Sequence, residues 1–322
     1  MDLSKISPNR LAVLKRIEEN ERTGNFNAVV EDDPPAPELL PNDVDYLCKK
    51  FKSKAARKIA NVIGDHYFLG LIKKDVLVID GVTGEEYAKE ALQKGAIVTC
   101  NHFSAFDNYI VFHCLRKYLP RKYLYKIIRE GNYTNFPGLY GFLFRHCNTL
   151  PLSRNRRTMI NFTSAVNTLL QRGEAILIYP EQEMWWNYRK PRPFKVGGFK
   201  MAYRANVPVL PTFITMEHDK TRLDENGYPV QRHTLHILPP IYPDLTLGER
   251  EGAQKLCDEA YALCKAKYEE VYQTPLVYGK EETNENEATR ERENGGSAVV
   301  FSQAQEANSP SEHKRVTEGE SA

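Results

Sequence analysis

The spacing of apolar positions changes rhythm several times along this chain. Residues 3–22 have a weak helical periodicity, and the following stretch, EDDPPAPELLPND, is broken by prolines and dense in acid. Such a segment neither continues a helix nor packs a core, so it reads as a linker. From Asp45 a period near 3.6 returns: Leu47, Phe51, Ala55, Ile59, Val62 and Ile63 share one side and lysines lie largely on the other. That pattern predicts an amphipathic helix running to about Leu71. Short apolar runs then alternate with helical ones. Strands are predicted at Val76–Ile79, Ala96–Cys100, Ala175–Tyr179, Val207–Ile214 and Thr234–Leu238. Helices are predicted at Gly84–Lys94, Ser104–Tyr118, Thr158–Gln171 and Gly248–Tyr272.

Alternating β and α elements imply an α/β fold with a mixed, largely parallel sheet flanked by helices. An N-terminal helical extension precedes it. After about residue 278 the chain is rich in Glu, Asn, Ser and Gly with almost no apolar rhythm, which predicts a disordered tail. The expected division is 1–44 for the first helix and Pro-rich linker, 45–75 for the basic amphipathic segment, 76–277 for the α/β domain and 278–322 for the tail.

Composition sharpens this reading in three ways. With 322 residues, 41% hydrophobic, the chain is long enough to bury a substantial core. No stretch approaches 18 consecutive apolar residues, and the N-terminus has no apolar signal region, so a cytoplasmic protein is expected. The formal net charge of +2 averages two unlike parts. Residues 277–322 hold ten Glu against five Lys or Arg, so about −5 lies there and about +7 in the rest. The six cysteines form no CxxC pair and are expected to be reduced thiols. His233 and His236 lie in a strand-like run without an acidic or cysteine partner at ligand spacing, so no metal is expected there.

Candidate chemistry concentrates where apolar strands end. Asn101-His102-Phe103-Ser104-Ala105-Phe106-Asp107 follows the run AIVTC, at the carboxyl edge of a sheet where α/β proteins build sites. In one continuous helix, residues five apart lie about 140° apart around the axis, which would separate His102 from Asp107. With His102 in the strand–helix turn and Asp107 in the first helical turn, the carboxylate can hold one imidazole nitrogen and leave the other as a general base. A His-x4-Asp spacing arises by chance about 0.3 times at this composition. The plain alternative is a satisfied histidine and a carboxylate favoured by a helix dipole.

Three more blocks carry polar residues beyond apolar runs. Thr149-Leu150-Pro151-Leu152-Ser153-Arg154-Asn155-Arg156-Arg157 ends in a basic cluster suited to phosphate or carboxylate, or is a solvated turn. Tyr179-Pro180-Glu181 follows a second buried run and places Glu181 at the same sheet edge, or at a helix start. Pro193-Phe194-Lys195-Val196-Gly197-Gly198-Phe199-Lys200-Met201-Ala202 permits close backbone approach and a basic helix start that can hold an anion, or is a glycine-containing loop. The run Val207-Pro208-Val209-Leu210-Pro211 comes next.

In this order, NHFSAFD, LPLSR, YPE, PFKVGGFKMA and VPVLP resemble the blocks of the glycerolipid acyltransferases of the lysophosphatidic acid acyltransferase type. The resemblance spans about residues 76–240. It implies that His102 is the general base on an acceptor hydroxyl and Asp107 its orienting partner. It also implies that Arg154 binds the acceptor phosphate and Glu181 shapes the acceptor site, with Lys195, Asn101 and Ser104 joining them in substrate binding. The co-substrate would be acyl-CoA or acyl-carrier protein; no cofactor, metal or covalent acyl-enzyme is implied. The acceptor would be a lysophospholipid, 1-acylglycerol-3-phosphate first, with glycerol 3-phosphate or another hydroxyl- or amine-bearing lipid as alternatives. A non-catalytic lipid-binding protein on the same fold is a further alternative.

One block departs from the family pattern. Where the family continues Pro-Glu-Gly-Thr-Arg, this chain reads Pro180-Glu181-Gln182-Glu183-Met184-Trp185-Trp186, with Arg189 and Lys190 as downstream sources of charge. Trp185 and Trp186 suit a half-wet surface, an acyl channel or the core. The 45–71 helix, with Lys49, Lys50, Lys52, Lys54, Arg57 and Lys58, fits an interfacial helix on an anionic membrane surface, or a helix packed on the sheet with a solvated basic face. Arg116, Lys117, Arg121, Lys122 and Lys126 form a second basic group suited to a carrier protein, CoA phosphates or lipid headgroups. No nucleic-acid motif accompanies these charges. The expectation is a cytoplasmic protein attached peripherally to the membrane.

Overall fold

The computed structural model describes residues 3–121 and 123–279. Tail residues 280–322 and Lys122 lie outside the described residues. The helices are α1 (Pro8–Arg22), α2 (Phe51–Lys73), α3 (Glu85–Ala91), α4 (Asp107–Leu115), α5 (Glu130–Thr134), α6 (Gly138–His146), α7 (Arg156–Gln171), α8 (Gly197–Ala205) and α9 (Glu249–Tyr272). The strands are β1 (Val78–Thr83), β2 (Ala96–Thr99), β3 (Leu124–Ile128), β4 (Thr149–Pro151), β5 (Ala175–Ile178), β6 (Val209–Leu223) and β7 (Pro229–Ile237). They form a seven-stranded sheet in the order β1-β7-β6-β2-β5-β3-β4. Every pairing is parallel except the β6–β7 hairpin.

The centre of the sheet follows from its sequence. β2 and β5 are four-residue apolar runs buried at every position, as expected for parallel strands covered on both faces. Alternate side chains feed two cores. Ile97, Ile176 and Ile178 point into a layer with α7, α8 and α9, while Val98, Cys100 and Leu177 point into one with α3, α4 and the end of α2.

Four expectations need correction. The second helix starts at Phe51, not Asp45. The Asp45 carboxylate accepts the N–H groups of Lys49 and Lys50 at 2.9 and 2.8 Å, and Cys48 takes a left-handed backbone that a helix cannot propagate. Its apolar stripe faces outward: Phe51 is 85% and Val62 65% exposed, with Ile59 and Leu69 beside them. The buried side uses Ala60 and Gly64, small enough for α6 to approach, and the Cys147 thiol reaches the carbonyl of Ala60 at 3.2 Å. On α6 and the turn before it, Phe136, Leu139 and Tyr140 are exposed as well.

The acidic Pro-rich stretch is also not a free linker. Val30 and Leu39 are buried, and backbone groups dock it across the ends of β3 and β4. Residues up to Gly279 accordingly make one unit rather than separate segments. Tyr278 belongs to it too, its ring on Phe26 at 4.5 Å, so the expected tail boundary shifts. Finally, β3, β4, α5, α6 and α8 go beyond the predicted elements. Among the described residues, no helix is long and apolar enough to cross a membrane.

One turn tests how tightly the sheet is closed. Gly84 caps α3 with φ of 73°, and a Cβ there would stand 2.0 Å from the carbonyl oxygen of Ile237. Gly84→Ala is expected to lower stability by about 2 kcal/mol or more, measured from urea unfolding midpoints.

Candidate active site

The strand order brings the carboxyl ends of β2, β5, β3 and β4 side by side along one edge. His102 follows β2, Glu181 follows β5, Glu130 follows β3 and Arg154 follows β4. His102 lies in the turn after the strand, and Asp107 is the first residue of α4. They meet with Nδ1 and Oδ2 at 2.7 Å. The Asp107 carboxylate is a hub for the loop, since Oδ2 also accepts the N–H groups of Phe103 and Ser104, each at 3.2 Å. Its Oδ1 accepts the Tyr179 hydroxyl at 2.6 Å. Burial, and then the neighbouring carboxylate, push the Tyr179 phenol well above its ordinary pKa, so it remains a donor. The Tyr179 ring stacks on the imidazole at 3.9 Å between centroids.

This arrangement fixes the histidine tautomer. An ionised carboxylate only accepts, so Nδ1 carries the proton and donates to Asp107, leaving the Nε2 lone pair as the free basic position. The imidazole is 21% exposed and Asp107 1%. A base oriented from behind and open at one nitrogen is the result.

The remaining residues expected at the site divide into different roles. Asn101 is buried, and its amide pairs with both backbone groups of Ile214 on β6, at 3.0 and 2.8 Å. It staples the end of β2 to β6. The Ser104 hydroxyl accepts the Phe106 N–H at 3.1 Å and shapes the turn. Glu181 is 3% exposed and fully engaged: it accepts the His102 N–H at 3.3 Å and the Arg192 Nε and Nη2 at 3.2 and 3.0 Å. Its Oε1 accepts the Arg192 N–H at 3.0 Å. The side chain expected to shape an acceptor pocket thus supports the backbone of the histidine loop.

Arg192 is the cation that sequence reasoning missed. Lys190 pairs with Glu21 and Arg189 lies over the Tyr272 ring, so neither downstream candidate reaches Glu181. The only advance signal was a third basic residue in the run RKPRP. Trp185 is fully buried, with its indole N–H on the Ala28 carbonyl at 3.0 Å, and Arg192 stacks on its ring. Trp186 packs on Tyr228 under Arg10. The Trp185 and Asn187 N–H groups donate to the carbonyls of His102 and Phe103 at 3.1 and 3.0 Å. Residues 181–192 form a cradle under the histidine loop.

Arg154 stands three strands from β2, about 14 Å at a strand spacing near 4.8 Å. Its Nε donates to Glu130 at 3.0 Å and Nη2 to the carbonyl of Ala36 at 2.7 Å, and the side chain is largely exposed. Lys195 lies just before α8, its N–H on the Pro180 carbonyl at 2.8 Å, and its ammonium makes no ion pair among the described residues. Lys126, expected on a basic surface, sits on β3 opposite Leu177, on the sheet face that also carries Tyr179. Burial holds its ammonium below its ordinary pKa. His233 and His236 are tied to Val78, Thr83 and Thr215, and no metal-holding group is present among the described residues.

Residues 81–215 match the family model described as Acyltransferase. The chain is similar to the 1-acyl-sn-glycerol-3-phosphate acyltransferase of Escherichia coli (strain K12), at 28% identity over 136 residues. That match takes in 41% of this chain and 53% of the relative, so the chain spans about half the length of that protein. Among solved structures it is similar to the 1-acyl-sn-glycerophosphate (LPA) acyltransferase, PlsC, from Thermotoga maritima. That likeness has 20% identity and a TM-score of 0.46, over 84% of this chain and 98% of the other.

The buried pair behind the histidine loop gives a direct test. Glu181→Gln leaves the Arg192 charge uncompensated and is expected to cost about 3–5 kcal/mol. Adding Arg192→Met should restore part of it, as read by urea unfolding of both variants.

Proposed function

We propose that this protein transfers a fatty acyl group from acyl-CoA or acyl-carrier protein to the hydroxyl of a lysophospholipid, with 1-acylglycerol-3-phosphate as acceptor. The observation that carries the reading is the 2.7 Å His102–Asp107 pair, oriented by Asp107 and open at Nε2. In this mechanism Nε2 takes the acceptor hydroxyl proton as the oxygen attacks the thioester carbonyl. The tetrahedral intermediate then collapses with cleavage of the C–S bond. The departing thiolate takes the proton back from the imidazolium, so the enzyme returns to its starting state without an acyl intermediate on the protein. Asp107 stabilises the imidazolium while it lasts.

The alternative acceptor is glycerol 3-phosphate or another hydroxyl- or amine-bearing lipid. His102→Ala is expected to reduce acyl transfer by about 10²–10⁴-fold with the circular dichroism spectrum unchanged. Turnover at the parent rate would remove the assignment. A panel of acceptors with one labelled acyl-CoA separates the two acceptor readings.

In the same proposal, catalysis takes place at an anionic membrane surface to which the protein attaches peripherally from the cytoplasm. The outward apolar residues of α2 and α6, beside Lys52, Lys54 and Lys58, support this. Neutralising several of residues 49–58 should weaken sedimentation with anionic vesicles, as should raising the salt concentration. Phe51→Ser with Val62→Ser should weaken it at every salt concentration.

A further inference from the structure

The hydroxyl of Tyr179 has a place in the site that the steps of acyl transfer leave unused. Tyr179 is the first residue after β5, and the backbone on both sides of it is pinned. The Cys100 N–H donates to the Ile178 carbonyl at 3.2 Å, and the Gln182 N–H donates to the Tyr179 carbonyl at 3.0 Å. From this fixed point the side chain crosses to the β2–α4 turn and meets the histidine–aspartate pair twice. Its ring lies 15° from parallel with the His102 imidazole, at 3.9 Å between centroids. Its hydroxyl donates to Asp107 Oδ1 at 2.6 Å, the oxygen that the imidazole does not use.

One carboxylate is therefore shared between two side-chain donors. A hydrogen bond to an ionised carboxylate stabilises its charge, so the phenol lessens what Asp107 gains from a positive imidazolium. Burial, and then the Asp107 charge, keep the phenol protonated and donating. The other ionisable groups around the pair are fixed. The Glu181–Arg192 ion pair stands behind the His102 N–H, Cys100 follows β2, and His233 of β7 stacks on Phe103 at 5.5 Å. Burial raises the Cys100 thiol and lowers the His233 imidazole, so both stay neutral where a solvated histidine changes charge.

We propose that Tyr179 is a positioning residue that sets the strength of the His102 base through Asp107. With the phenol in place, Nε2 is a weaker base than the histidine–aspartate pair alone makes it, and a proton collected there is released more readily. In the acyl-transfer reading, on which this part rests, that release goes to the departing thiolate and completes the turnover. Asp107 orients the imidazole, and Tyr179 limits how tightly the proton is kept. The stacked ring holds the imidazole plane while the charge comes and goes.

A histidine titration by NMR tests the coupling in the full chain without substrate, using isotope-labelled histidine. Among the 8 histidines, His102 is identified by the signal lost in His102→Ala. Tyr179→Phe keeps the ring and removes the hydroxyl, and is expected to raise the His102 midpoint by about half a pH unit. A ring-fluorinated tyrosine at the same position donates more strongly and is expected to lower it. The acid limb of kcat/KM for acyl transfer should move with the midpoint in each variant. A side chain that only packed would leave both where they are. The fluorinated residue is nearly the size of tyrosine, so it carries the test if Tyr179→Phe fails to fold. A midpoint that stays or falls in folded Tyr179→Phe, or stays or rises with the fluorinated residue, overturns the proposal. So does an acid limb that stays in place while the midpoint moves. Shifted midpoints in a chain that transfers no acyl group to any acceptor remove the acyl-transfer reading and leave the coupling standing.

Discussion

A carboxylate taken out of water must have its lone pairs filled, and Asp107 is the place where this requirement organises the protein. Its two oxygens collect an imidazole N–H, two loop N–H groups and a phenol. Each of those donors comes from a different part of the β2–α4 turn or from the end of β5. The turn cannot relax without stranding the charge, and desolvated charge is costly. The aim of His102 is therefore set by the electrostatics of its neighbour more than by its own packing.

The same constraint recurs one layer deeper. Glu181 holds the His102 N–H from below and is itself neutralised by Arg192 inside the cradle of residues 181–192. A buried ion pair contributes little net stability over an apolar substitute, but it tolerates few alternative geometries. Trp185 closes the arrangement by lying under the guanidinium while its N–H reaches back to Ala28. Two carboxylates, each filled by a different set of donors, place the histidine loop from both sides.

Much of this was legible in the sequence because the relevant signals are local. AIVT and AILI announce themselves as buried parallel strands, and a polar residue directly after such a strand lies at the sheet edge. The meeting of His102 with Asp107 needs only a turn followed by a helix start. The remainder depended on long-range partners. Arg192 looks like one basic residue among several until Glu181 is known to be buried beside it. β3 was hidden because Lys126 interrupts its apolar run, and β4 because three residues carry no period. The outward stripe of α2 has the same spacing as an inward one, so periodicity alone does not give its direction. Two buried anchors, Val30 and Leu39, were too few to lift the Pro-rich stretch above the signal of a linker.

That stretch sets the order of assembly. Leu39 bonds to Glu130 and Thr158, 91 and 119 residues away, and Ala28 bonds to Trp185 across 157. Loop closure on this scale is entropically slow, and it cannot begin until the distant partner exists. During synthesis residues 28–39 leave the ribosome well before Glu130, Thr158 and Trp185, so their docking surface is incomplete when they emerge. The Pro-rich stretch is thus made before its seat and docked late, and its final position records that the strand edge beneath it has already formed.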